Sequence, residues 1–128
     1  MRPFDVLAVF VGGGLGSLAR YLTGLAFLQR VGPGFPYGTL AINLAGCFFI
    51  GIIVELAQTR AFGIGSSARL FLVVGVLGGF TTFSTFAYDA VTLSGEALSI
   101  SAMLYVLASV AGGIIAAFAG IVLARIAT

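Results

Sequence analysis

Few side chains in this 128-residue sequence can do chemistry, and most of them fall in one stretch, Gly75 to Phe86, GVLGGFTTFSTF. Two adjacent glycines, Gly78 and Gly79, precede the hydroxyls of Thr81, Thr82, Ser84 and Thr85, interleaved with Phe80, Phe83 and Phe86. Each glycine weakens a helix by roughly 1 kcal/mol, and Ser/Thr hydroxyls cap helix starts. The stretch therefore predicts a helix broken near Gly78–Thr82 and restarted about a turn later. Phe83 and Phe86 share a face of the restarted half. Ring edges carry partial positive charge, and a helix N-terminus favours negative charge. The chemistry expected is edge-on coordination of a small hard anion as it sheds water.

Two polar strips accompany the break. Thr39, Asn43 and Cys47 recur every fourth residue, and Tyr105, Ser109, Gly112 and Gly113 form a comparable strip further on. An amide in an apolar segment must find partners. Singly, a serine or threonine of this kind most often bonds its own helix, and the two phenylalanines apart from the break read as packing. Taken together they predict a polar track. Arg20 is the ionisable group clearly inside an apolar segment, and its burial requires protein or water around it. It reads either as an arginine snorkelling to the interface or as a positive group drawing anions to a vestibule.

The absences narrow the function. There is no His, no Lys and no Trp, and the single Cys47 excludes an internal disulfide or a thiol cluster. Its surroundings predict a small buried apolar residue. Asp5, Glu55, Asp89 and Glu96 all stand away from the centre of the first, second and fourth apolar segments. Proton-coupled transport of cations calls for a central carboxylate or histidine, and hydrolysis for a nucleophile beside a base. Neither set is present, so no enzyme is expected. Six arginines are scattered singly, which leaves no nucleic-acid footprint.

The elements that must position these residues are membrane helices. Apolar residues make up 60% of the chain and charged ones 8%, well outside soluble composition. Crossing hydrocarbon takes about 20 apolar residues. Four segments qualify, at about 4–28, 37–57, 68–93 and 98–126, a single four-helix transmembrane domain of the all-α class. The N-terminal apolar run exceeds a signal-peptide core and reads as a retained helix. Four spans place Arg2, Arg60, Arg69 and Arg125 on one side, with Arg30 and Arg20 towards the other. That margin puts the termini weakly in the cytoplasm. Glycine rows at Gly12, Gly16 and Gly24, at Gly75 and Gly79, and at Gly112, Ala116 and Gly120 are packing faces. Their abundance in so short a chain favours a homo-oligomer.

Three motifs, Gly13 to Tyr21 (GGLGSLARY), Gly38 to Gly46 (GTLAINLAG) and Gly75 to Phe86, resemble in order those of the Fluc/CrcB fluoride channels. The resemblance implies an antiparallel dual-topology homodimer in the bacterial inner membrane with two fluoride pores. It also implies a structural sodium ion held at the dimer centre by the backbone carbonyls of Gly78 and Thr81. The family's pore residues fall on Asn43, Phe83, Phe86, Tyr105 and Ser109, with Thr39, Thr82 and Ser84 adding hydroxyls, and its vestibule arginine falls on Arg20. One turn beyond Ser109, where another hydroxyl is sought, this chain has Gly113. Fluoride is strongly hydrated, and such donors can replace its water without trapping it. A passive channel that lets fluoride leave the cell is the expectation. A small four-span exporter of drug or guanidinium cations is the alternative, but it calls for an acid in the middle of the first helix. A purely structural subunit would explain the glycine rows but not Asn43 with the TTFSTF cluster.

Overall fold

The structure, a computed structural model, describes residues 2–58, 65–95 and 99–128 and is all-helical among them. Arg60 of the charge count, Glu96 and the Leu98 start of the fourth span lie outside the described residues. Helix α1 covers Pro3–Val31, with proline in the first turn, where a missing N–H costs nothing. It ends on Gly32, whose positive φ of 85° suits glycine and whose N–H returns to the Leu28 carbonyl at 3.0 Å. Helix α2 is Tyr37–Gln58. The third span is composite. Helix α3 (Ser66–Arg69) runs into a π-helical stretch, Leu70–Leu77, then a short α4 (Gly78–Phe80), and after two extended residues the chain resumes as α5 (Phe83–Ser94). Helix α6, Ile100–Ala127, begins at Ser99, whose hydroxyl accepts from the Ala102 N–H at 3.1 Å.

Pro3–Val31, Tyr37–Gln58, Ser66–Ser94 and Ile100–Ala127 are each long and apolar enough to cross a bilayer. The chain is a multi-pass membrane protein. The glycines set how its helices meet. A Cβ on Gly12 would lie 2.6 Å from the Phe71 carbonyl oxygen, and one on Gly75 would lie 2.9 Å from the Gly12 Cα. Likewise Gly16 faces the Val76 carbonyl and Gly79 the Gly13 carbonyl. Between α2 and α6, Gly51 abuts the Ala117 carbonyl and Gly120 the Phe48 carbonyl. Backbone rests on backbone, the close packing that lipid-embedded helices use.

This corrects one expectation. Gly78 and Gly79 do not make the break; both are helical, Gly78 with φ −63° and ψ −37°. Close packing of α1 on Gly75 and Gly79 outweighs the propensity loss of about 1 kcal/mol per glycine. Most of the glycine rows are used within the subunit, so they are not evidence of an oligomer. Two polar contacts join helices near the membrane faces. Ser67 donates to Asp5 at 3.0 Å, and Arg125 pairs with Glu55 at 2.8 Å.

Candidate ion pathway at the helix break

The break itself is Thr81–Thr82, both extended, with ψ of 160° and 117°. The Thr81 N–H and hydroxyl both donate to the Leu77 carbonyl, at 2.9 Å each, and close off α4. The Thr82 N–H, which a continuous helix would give to Gly78, goes instead to Asn43 Oδ1 at 2.9 Å. Asn43 Nδ2 in turn donates to the Thr82 carbonyl at 3.0 Å. One amide on α2 thus takes the place of both peptide partners that the break removes. The Thr82 hydroxyl accepts from the Thr85 N–H at 3.2 Å and caps α5. It also donates to Thr85 Oγ1 at 3.0 Å and lies 3.3 Å from Ser84 Oγ. Arg20, half-buried on α1, reaches the Thr81 carbonyl with Nη1 at 3.4 Å.

Two cavities flank the break. A vestibule of about 580 Å³ is lined by Arg20, Phe35, Thr39, Thr82, Thr85 and Asp89 among others. An inner cavity of about 360 Å³ is lined by Asn43, Cys47, Thr82, Phe83, Phe86 and Ser109 together with aliphatic residues, glycines and Thr81. Thr82, nearly buried, belongs to both walls. A chain of rings runs beside it. Phe83 and Phe86 lie 5.5 Å apart between centroids, Phe86 and Tyr105 also 5.5 Å, and Phe35 meets Tyr105 edge-on at 5.6 Å and 88°. Tyr105 is fully buried, and its hydroxyl donates to Asp89 Oδ2 at 3.3 Å. Thr39 and Ser109 stand beside that hydroxyl. The Ser109 oxygen is nonetheless buried without a hydrogen bond of good geometry.

Sequence spacing brings most of the expected residues together. Asn43, Thr82, Phe83, Phe86 and Ser109 share the inner cavity, Arg20 and Thr39 the vestibule, and Tyr105 stands between them. Ser84 is exposed and lines neither. Sequence reasoning missed Asp89, set aside as late in its span, and Thr85. Thr85, Asp89 and Thr92 recur at helical spacing and all line the vestibule, a signal legible in the chain.

Four spanning helices, one of them interrupted beside a largely apolar cavity that carries an amide and hydroxyls, mark a polytopic protein of the channel and transporter class. The sequence profile described as "CrcB-like protein, Camphor Resistance (CrcB)" matches residues 7–121, and this chain belongs to that family. It is 50% identical over 122 residues to the "Fluoride-specific ion channel FluC" of Agrobacterium fabrum, covering 94% of this chain and 96% of the relative. Identity to the protein of the same name from Rhizobium meliloti is 47% over 120 residues, covering 94% and 95%. A third, from Chlorobium luteolum, is 44% identical over 124 residues, covering 97% and 95%.

Proposed function

We propose that this chain is a fluoride-specific ion channel, not an enzyme, through which fluoride leaves the cell across the bacterial inner membrane. The relatives' names supply the ion. One observation on this chain carries the reading: the inner cavity offers an amide, hydroxyls and two phenyl rings, and no carboxylate among the described residues lines it. Such a wall favours an anion and would leave a guanidinium or drug cation without a counter-charge. Ser109 Oγ, buried beside the Tyr105 hydroxyl without a hydrogen bond of good geometry, can donate to an ion in the cavity. Fluoride accepts hydrogen bonds strongly, and the ring edges of Phe83 and Phe86 add weak positive charge. Binding by several weak donors lets the ion leave as readily as it enters.

The same reading includes an antiparallel homodimer. Phe83 is 79% exposed, and Ser84, Thr85 and Gly78 are exposed beside the break. At membrane depth polar groups need protein or water around them, and a second copy supplies it. A sodium ion fits at that junction. The Gly78 carbonyl is released when the Thr82 N–H turns to Asn43, and the Thr81 carbonyl is engaged only by the long Arg20 contact. Two carbonyls from each copy would give four hard oxygen ligands, suited to a hard cation. Bound there, sodium would supply positive charge and a tie between subunits. Arg20 would then point its charge to the vestibule.

Complementation tests the function. A bacterium lacking its own fluoride exporter should regain growth in millimolar fluoride when it expresses this chain. Growth that stays fluoride-sensitive with the protein present in the membrane would count against the proposal.

A further inference from the structure

A column of rings joins the two cavities. Phe83 and Phe86 line the inner one, Tyr105 is buried beside Phe86, and Phe35 meets Tyr105 from the wall of the vestibule. Phe35 does not stand on a helix. It belongs to the connection 32–36, GPGFP, every residue of which lines the vestibule. That connection is stiff. Pro33 and Pro36 fix their own φ, and each restricts the residue before it, Phe35 among them. The Phe35 carbonyl accepts from the Tyr37 N–H at 2.8 Å, and the Pro36 carbonyl accepts from the Leu40 N–H at 3.1 Å, which ties the connection to the first turn of α2. The backbone therefore aims the Phe35 side chain. Its half-buried ring packs on Tyr37 with centroids 4.6 Å apart and stands at 88° to Tyr105 at 5.6 Å.

Tyr105 is where the column needs a brace. Its hydroxyl is tied to Asp89 at 3.3 Å, but a tie at the tip leaves the ring free to turn about its long axis. Phe86 rests on that ring at 5.5 Å, and its other ring neighbour, Phe83, is 79% exposed and braces nothing within the subunit. We infer that Phe35 is a positioning residue of the fluoride path: its edge-to-face contact from the vestibule fixes the Tyr105 ring, which in turn holds Phe86 with its edge towards the ion. The inference rests on the proposed fluoride function and adds to it a residue outside the inner cavity. Perpendicular ring pairs are favoured because the positive edge of one meets the negative face of the other. A leucine in place of Phe35 fills much of the same space and offers neither, so it tests orientation apart from bulk.

The test is the fluoride current through single channels of the full-length protein in planar bilayers. Unit current does not depend on how many channels are folded, so a merely structural role for Phe35 would not move it. Phe35→Leu should lower the unit current about threefold to tenfold, the rate equivalent of one edge-to-face ring pair. Phe35→Tyr keeps the ring and should stay within twofold of wild type. Each variant is first shown to elute from a sizing column as wild type does, and Phe35→Met, which also lacks a ring, replaces Phe35→Leu with the same expectation if the leucine does not fold. A wild-type unit current without the ring would overturn the inference, whether or not fewer channels appear. So would an equal loss in Phe35→Tyr, because that pattern belongs to the fit of the connection and not to the ring. A wild-type protein that carries no fluoride current would instead overturn the fluoride function itself.

Discussion

Asn43 decides whether the break can exist. Its amide satisfies the N–H and carbonyl of Thr82 together, and both would otherwise be orphaned at membrane depth. Asn43→Leu should cost about 1–3 kcal/mol for each orphaned group, seen as a lowered unfolding midpoint in detergent together with lost flux. Phe83 gives the opposite pattern. It is 79% exposed in the subunit, so Phe83→Ile should leave subunit helicity intact while fluoride flux falls at least tenfold. Equal flux from Phe83→Ile would remove the ring edges from the mechanism. Legibility in the sequence followed the same divide. Asn43, Phe83 and Ser109 were found because a polar or aromatic residue at regular spacing in an apolar segment demands an explanation. Their bonds were not, because which helix an amide answers depends on packing across the bundle. Asn43 reads from the sequence as a pore residue, and in the structure it both lines the inner cavity and bonds the backbone of the break.

At the level of elements, the four spans and the interrupted third helix were legible in length and hydropathy, and the cause of the interruption was not. By propensity alone the glycines weaken the helix. In the structure they admit α1, and it is Thr81 and Thr82 that turn extended, held by Asn43 and by the Thr82 cap. Close approach is a property of pairs of helices, which a single strand of sequence does not display. The distinction has a direct consequence. Gly16→Ala would push a methyl onto the Val76 carbonyl and should destabilise the protein by about 1–3 kcal/mol. Gly13→Ala, on the same helix with nothing within 4 Å of its new Cβ, should be neutral or stabilising by up to about 1 kcal/mol. Chemical or thermal unfolding of the two variants side by side checks this, and equal losses would mean that helix propensity, not close packing, governs the glycine rows.

The whole molecule is an assembly question as much as a chain. One subunit leaves Phe83 and the hydroxyls of Ser84 and Thr85 exposed beside the helix break. In the proposed antiparallel dimer each copy would cover the other's exposed break, and each orientation would be inserted in comparable amounts. A single reporter cysteine near the C-terminus, in a Cys47→Ser background, should therefore be labelled by an impermeant thiol reagent from both sides of the membrane. Labelling from one side only would contradict dual topology. The fluoride function is tested most directly by efflux from liposomes containing the purified protein, followed with fluoride and chloride electrodes in parallel. Fluoride should leave fast and only when valinomycin lets potassium carry the balancing charge, while chloride stays inside. Retained fluoride in active liposomes, or chloride leaving as fast, would contradict the function proposed for this chain.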